Sequence, residues 1–255
     1  MQNFKQNIDY KSYSFLEKIV VVACFAGQEI MKVYNTSFEV KYKKDTSPLT
    51  KADLIANKVI CEELTKLLDI PILSEENAII NYKERKNWEY FWLVDPLDGT
   101  KEFISKNGEF TVNIALIEKG EPVLGVIYAP ALDTFYFASK FLGCFKKIKK
   151  NIKNDTLVIV GSRSHDSEEF DFFVEKKRLL YKEIKIKKVG SSLKFCLIAD
   201  GLADVYPRLG QTKEWDTAAG HIIAKMAGRK VVDFNSEKEL VYNKKILINP
   251  NFIVY

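Results

Sequence analysis

Asp95-Pro96-Leu97-Asp98-Gly99-Thr100 sets two carboxylates three residues apart, directly after the apolar run Phe91-Trp92-Leu93-Val94. Pro96 fixes the backbone and Gly99 permits a tight turn, so both acids and the Leu97 carbonyl can face one way. The N–H groups of Gly99 and Thr100 then open the next segment as a cradle for phosphate. Oxygen ligands at the end of a buried strand suit phosphate-ester hydrolysis. That reaction needs cations to neutralise phosphoryl oxygens and to acidify a water, and two metals need a carboxylate that bridges them. The alternative is structural: Asp98-Gly99 is a turn and Asp95 a cap.

Further acids occupy comparable positions. Glu75-Glu76 follow the short apolar strand Ile72-Leu73, and Asp216 opens an apolar helix in Trp215-Asp216-Thr217-Ala218-Ala219-Gly220. Taken singly, Glu75 reads as a solvated loop acid and Asp216 as an N-cap. Thr50-x-x-Asp53 matches a capping box, or else Asp53 pairs with a hydroxyl that orients an attacking water. The chain holds two histidines, His165 and His221, and four widely spaced cysteines with no Cys-x-x-Cys pair. That inventory argues against zinc and for a hard cation such as Mg²⁺.

The elements that must position these groups follow from periodicity. Phe15, Ile19, Val22, Ala26 and Ile30 share one face of a helix over 14–34. A second helix starts near Thr50, with Ala52, Ile55, Ala56, Val59 and Leu67 inward. The run at 91–94 reads as a strand that Asp95-Pro96 stops. Residues 110–117 and 122–128 form a hairpin, and 134–138 a further strand. After a lysine-rich stretch at 146–155, a strand at 157–160 leads into helices at 167–180, 192–200 and 215–227 and strands at 183–189, 203–206 and 230–234. The expected fold class is α/β of the α+β type, with mixed sheets and helices between and outside them. Residues 1–155 form a metal-binding half and 156–255 a half that completes the substrate pocket, with the active site in the cleft between them.

The chain has 255 residues, 47% of them hydrophobic, and a formal net charge of +5. A core of useful size is available, and the mild positive balance suits an anionic small molecule without implying nucleic acid. Met1 to Ser14 contain no apolar run fit for a signal peptide, and Ile19 to Ala26 is too short to span a membrane. A cytoplasmic protein with reduced thiols is expected. The lysines of Lys146-Lys147-x-Lys149-Lys150 suggest a nucleic-acid-binding rival, but no recognised binding motif accompanies them.

Together these pieces resemble the signature of the inositol-monophosphatase-like superfamily of lithium-sensitive phosphatases, from about Asp45 to Tyr255. Within it the chain is most similar to the CysQ-type 3'(2'),5'-bisphosphate nucleotidases. Lys101-Glu102 after Thr100, Gly161-Ser162-Arg163-Ser164-His165, Gly190-Ser191-Ser192-Leu193-Lys194-Phe195-Cys196 and Tyr206-Pro207-Arg208 carry that likeness. The departures are a reduced glycine turn at Gly143-Cys144-Phe145 and the lysine-rich 140–156.

The resemblance implies a layered αβαβα sugar-phosphatase fold and at least two Mg²⁺. Glu75, Asp95 and the Leu97 carbonyl would hold one; Asp95, Asp98 and Asp216 would hold the second. Asp53 and Thr100 would activate the water, with Glu76 a supporting acid. Leu97, Asp98, Gly99, Thr100 and Asp216 would also meet the scissile phosphate. Ser162, Arg163, Ser164, His165, Ser191, Ser192 and Lys194 would bind the rest of the substrate, adenosine 3',5'-bisphosphate. The implied reaction is direct in-line hydrolysis to AMP and phosphate, in support of sulfate assimilation. A monomer is expected, cytoplasmic or peripheral at the inner membrane face as in some relatives. The rivals are a phosphatase acting on inositol monophosphate or fructose 1,6-bisphosphate and an inactive scaffold of the same fold.

Overall fold

Ser12 starts the first helix, its side chain accepting from the Phe15 N–H, and α1 runs Tyr13–Tyr34 with the expected stripe Phe15, Ile19, Val22, Ala26 and Ile30 buried. The computed structural model describes residues 9–42, 48–77, 80–144, 155–163 and 167–255. A small antiparallel pair, β1 (Val40–Tyr42) and β2 (Pro48–Thr50), leads into α2 (Lys51–Leu67). The buried face of α2 differs from the expected one. Ala52, Ala56, Ile60 and Leu64 are buried, whereas Ile55, Val59 and Leu67 are only half-buried. Asp53 and Asn57 take inward positions as well, and this rotates Ile55 and Val59 onto the flank.

A six-stranded sheet follows. It comprises β3 (Ile72–Ser74), then, after a 3₁₀ turn at Glu75–Asn77 and α3 (Tyr82–Arg85), β4 (Tyr90–Asp98). After α4 (Thr100–Ile104) come β5 (Thr111–Glu118), β6 (Glu121–Ala129), β7 (Thr134–Ser139) and β8 (Gly143–Cys144). The strands lie in chain order, β3 parallel to β4 and the rest antiparallel. Contrary to the expected stop, β4 continues through Pro96. Asp95 pairs with Asn113 and Asp98 with Thr111, so β4 spends one extra residue there. A bulge accommodates the missing proline N–H and re-aims the acids.

The second half contains β9 (Thr156–Ser162), α5 (Glu168–Arg178), β10 (Glu183–Val189), α6 (Leu193–Ala199) and β11 (Tyr206–Arg208). A 3₁₀ turn at Glu214–Asp216, α7 (Ala218–Met226), β12 (Val231–Asp233) and β13 (Phe252–Val254) complete it. β9 and β10 are parallel, and β11, β13 and β12 form a second small sheet in that order. Ile159 of β9 bridges to Val205, so the strand expected at 203–206 is split between this bridge and β11. The helix expected from 215 begins instead at Ala218, behind the 3₁₀ turn.

The central sheet is apolar on both faces because both are covered. Leu16, Ile19, Ile60 and Leu64 pack on one face against Trp92, Val94, Ile114 and Val126. Cys196, Trp215, Ala219 and Ile223 pack on the other against Phe91, Leu93, Ala115 and Ile127. The small sheets lie beyond α6 and α7, with Phe195 and Ala224 against Phe252 and Val254. α5 lies outermost, Phe170 and Phe173 against Leu157 and Ile159. The layers run αβαβα, and the C-terminal ends of β3 and β4 meet the starts of α6 and α7 at one cleft.

Candidate active site

Three of the expected metal ligands converge. One ligand oxygen each from Glu75, Asp95 and Asp216 lies within 4.8 Å of the other two. Glu75 begins the turn after β3, Asp95 sits at the bulge of β4, and Asp216 closes the turn before α7, its Oδ2 accepting from the Lys213 N–H at 2.9 Å. Asp95 Oδ1 accepts from the Leu97 N–H at 3.1 Å, which folds the turn carrying the Leu97 carbonyl. Asp98 lines the same cleft, of about 380 Å³, with its Oδ2 bonded to Ser192 Oγ at 2.6 Å and Asn113 Nδ2 at 3.2 Å.

Burial, and then the neighbouring acids, push the Asp95 and Asp216 carboxyls well above their ordinary range. Burial likewise raises Asp98, with Lys194 the largest opposing influence. Acids crowded in this way hold protons or a cation. Carboxylates and a carbonyl without His or Cys are the donor set of a hard divalent ion, so the residues fit the metal that the resemblance implies.

Asp53 completes the capping box and also pairs with a second hydroxyl, that of Thr100. Its Oδ2 accepts from the Thr50 N–H at 2.7 Å and the Thr50 hydroxyl at 2.6 Å, a complete capping box. Its Oδ1 lies 3.4 Å from the Thr100 hydroxyl, which is also 3.4 Å from the Leu97 carbonyl. The carboxyl is buried, and burial raises its pKa against the Thr50 bonds that lower it. Gly99 adopts φ 90° and caps α4 without a side chain. A Cβ there would lie 3.2 Å from both the Glu109 carbonyl and the Ser191 Cβ, so glycine is needed for conformation and for space.

The second-half residues divide. Ser162, Ser191, Ser192 and Lys194 line the cleft. Lys194 is buried, donates to the carbonyls of Ser191 at 2.6 Å and Val189 at 3.2 Å, and has its pKa lowered to about 8, chiefly by burial. Arg163 does not line the cleft. Its guanidinium forks onto Glu109, at 2.7 Å from Nε and 2.6 Å from Nη2, and also reaches the Lys188 carbonyl. The fork expected to meet a phosphate is therefore committed to a carboxylate of the first half. Ser164 and His165 lie outside the described residues. His221 is a packed core side chain, 3.0 Å from both the Tyr242 hydroxyl and Glu239.

Two groups escaped the sequence reading of the site. Arg208 lines the cleft, with Nη2 donating to the Gln211 carbonyl at 3.1 Å and Nε buried without a hydrogen-bond partner among the described residues. The signal was available: Tyr206 and Arg208 are two apart on a strand and so share a face, and both reach the cleft. Asn113 is the other. Nothing local marks it, because its partner Asp98 is set by strand register.

The profile of the inositol monophosphatase family matches residues 13–253. A Salmonella typhimurium protein named 3'(2'),5'-bisphosphate nucleotidase CysQ is 47% identical over 249 residues, covering 94% of this chain and 98% of that protein. A Buchnera aphidicola protein of the same name is 49% identical over 240 residues, covering 90% and 88%. The crystal structure of CysQ from Bacteroides thetaiotaomicron, a bacterial member of the inositol monophosphatase family, superposes with a TM-score of 0.84 at 39% identity over 94% of this chain and 96% of that one. With the acid cluster, the capped Asp53 and the αβαβα layers in agreement, the chain belongs to the inositol monophosphatase family.

Proposed function

We propose that this chain is a Mg²⁺-dependent 3'(2'),5'-bisphosphate nucleotidase that converts adenosine 3',5'-bisphosphate to AMP and phosphate. The observation that carries this reading is the pairing of an acid cluster with basic side chains, Lys101, Lys194 and Arg208, in one cleft. A substrate with one phosphate at the acids needs no second cationic wall; one with a second phosphate does. Phe195, Tyr206 and Phe252 add an aromatic border suited to a nucleoside. The similarity to nucleotidases of the same length supports the same substrate.

Glu75, Asp95, Asp98, Asp216 and the Leu97 carbonyl would hold the ions. Bound Mg²⁺ supplies charge neutralisation for the phosphoryl oxygens and an acidified water. The chain supplies placement. Asp53 anchors the Thr100 hydroxyl, and that pair orients the nucleophilic water and receives its proton. The N–H groups at Gly99 and Thr100, which no side chain caps, face the scissile phosphate. Attack in line forms the new P–O bond as the bond to the ribose oxygen breaks opposite, and the departing oxygen takes a proton from solvent to give the free hydroxyl of AMP. Ser162, Ser191 and Lys194 hold the remainder of the nucleotide; residues 1–155 would supply most of the ligands for the ions, and 156–255 the second phosphate site together with Asp216.

Removing this by-product of sulfonate transfer would support sulfate assimilation. Among the described residues no helix is long and apolar enough to cross a membrane. A cytoplasmic monomer accords with the reading. Phosphate release from adenosine 3',5'-bisphosphate, beside inositol 1-phosphate and fructose 1,6-bisphosphate, tests it. Strong preference for the nucleotide, abolished by EDTA and suppressed by Li⁺, is expected. Preference for inositol 1-phosphate would overturn the substrate assignment.

A further inference from the structure

Ser191 and Ser192 look equivalent in sequence, as two hydroxyls offered to a substrate. The structure turns them to different tasks. Ser191 takes φ 47°, an uncommon left-handed conformation, and the chain reverses there. Ser192, in the cleft wall, is 3% exposed, and its hydroxyl is turned to Asp98. Its Oγ lies 2.6 Å from Asp98 Oδ2 and 2.9 Å from the Asp216 carbonyl oxygen, and it accepts from Asn113 Nδ2 at 2.9 Å. Asn113, 1% exposed, donates to Asp98 as well, at 3.2 Å.

A hydroxyl has one proton and two lone pairs. With Asp98 ionised, that one proton is shared between the carboxylate, the nearer acceptor, and the Asp216 carbonyl oxygen, and Asn113 occupies one lone pair. These three contacts of the Ser192 hydroxyl are all to protein groups. Asp98 arrives on β4 and Asp216 on the turn before α7, and Ser192 on the start of α6 bridges the carboxylate of one to the backbone of the other.

The bridge itself is held from behind. The Gly190 N–H donates to Glu109 Oε2 at 2.8 Å, and a Cβ on Gly190 would come within 2.4 Å of Glu102 Cγ. Gly190 is therefore seated closely on the first half of the chain. Asp98 has an alternative partner: the Lys194 ammonium, which draws it electrostatically. Something must keep Asp98 turned to the cation-holding side.

We propose that Ser192, with Asn113 behind it, is a positioning residue for the second cation site, fixing Asp98 relative to Asp216, rather than a group that touches substrate. The inference rests on the function proposed above and deepens it. One short segment would present Ser191 and Lys194 to the nucleotide on one side and set the metal-holding acids on the other.

Calorimetric titration of Mg²⁺ into the chelator-stripped chain, without nucleotide, tests this. Ser192→Ala should weaken Mg²⁺ binding about tenfold or more, as loss of a group that orients a metal ligand does. Ser192→Thr, which restores the hydroxyl, should recover most of it, and Asn113→Ala should weaken it too. At saturating Mg²⁺ the KM of Ser192→Ala for the bisphosphate should change about twofold or less, whereas Ser191→Ala should raise KM with unchanged Mg²⁺ affinity. Circular dichroism confirms folding; if Ser192→Ala does not fold, the threonine and Asn113 variants carry the comparison. Unaltered Mg²⁺ affinity in Ser192→Ala, or a raised KM as its only defect, would overturn the proposal. No Mg²⁺ binding by the unaltered chain would refute the proposed function, and this inference with it.

Discussion

Stripped of divalent cations, the chain should gain thermal stability, relative to its Mg²⁺-loaded form, as the pH falls from 7.5 to about 5.5. The cause is the cluster of Glu75, Asp95 and Asp216, whose ligand oxygens lie within 4.8 Å of one another. Two like unit charges about 4.8 Å apart repel by about 3.5 kcal/mol at an effective dielectric constant of about 20. Three such pairs would cost about 10 kcal/mol, which rivals the whole stability of a folded domain, about 5–15 kcal/mol. The cation-free cluster therefore favours keeping protons, the direction in which burial and the neighbouring acids push the Asp95 and Asp216 carboxyls.

A carboxyl whose folded pKa lies above its unfolded value of 3.8 binds more protons folded than unfolded between those two values, so stability falls as pH rises through that window. His221 acts in the opposite sense. Burial lowers its imidazole pKa, so folding loses stability as pH drops below the ordinary 6.5. Because His221 is present with and without cation, the difference between the two forms isolates the acids. Scanning calorimetry at pH 5.5, 6.5 and 7.5, in EDTA and in saturating Mg²⁺, measures that difference. Mg²⁺ at about 100 times its Kd adds about 2.7 kcal/mol. For a chain of this size that is a Tm increment of about 5–10 °C at pH 7.5. The increment should shrink toward pH 5.5 as protons compete for the same oxygens. An increment that stays constant, or grows in acid, would refute the reasoning.

Asp95→Asn should abolish Mg²⁺-dependent phosphate release, because an amide cannot bridge two cations. In EDTA the same variant should unfold at a higher temperature than the parent, by about 2–4 °C per kcal/mol of repulsion relieved; a lower Tm would argue against charge crowding. Lys194→Ala should raise KM for the bisphosphate about tenfold or more, the worth of a charged hydrogen bond, and raise it less for a simple monophosphate. Equal changes would remove Lys194 from the second phosphate site. In the unaltered chain, KM should be flat below about pH 8 and climb above it as the buried ammonium deprotonates, a rise absent from Lys194→Ala. Gly190→Ala should cost about 1–3 kcal/mol of stability by overpacking, since the added Cβ would meet Glu102 Cγ at 2.4 Å and the Glu109 carbonyl at 2.8 Å. An unchanged Tm would show that this loop can move.

Asp95 and Asp98 after a buried run pointed to cations by type, spacing and place together, whereas Glu75 and Asp216 read singly as a loop acid and an N-cap and joined them only through the family resemblance; α1 declared its face by spacing. What the chain could not declare was direction. The α2 face turned because Asp53 must reach Thr100, a partner 47 residues away. Whether Ser192 meets substrate or Asp98 depends on one backbone reversal at Ser191, and no local pattern announces a φ of 47° on a serine. Arg163 presents the same problem on a larger scale: a guanidinium beside two serines reads as a phosphate fork until Glu109, 54 residues earlier, fills it. That loss has a chemical consequence. With Arg163 committed, the basic side chains lining the cleft are Lys101, Lys194 and Arg208; burial lowers the pKa of Lys194, and Arg208 has a buried Nε without a hydrogen-bond partner among the described residues. Lys194 and Arg208 would both gain from an arriving phosphate, one a counter-charge and the other an acceptor, and that is the physical basis on which the proposed function gives this side of the cleft a second phosphate.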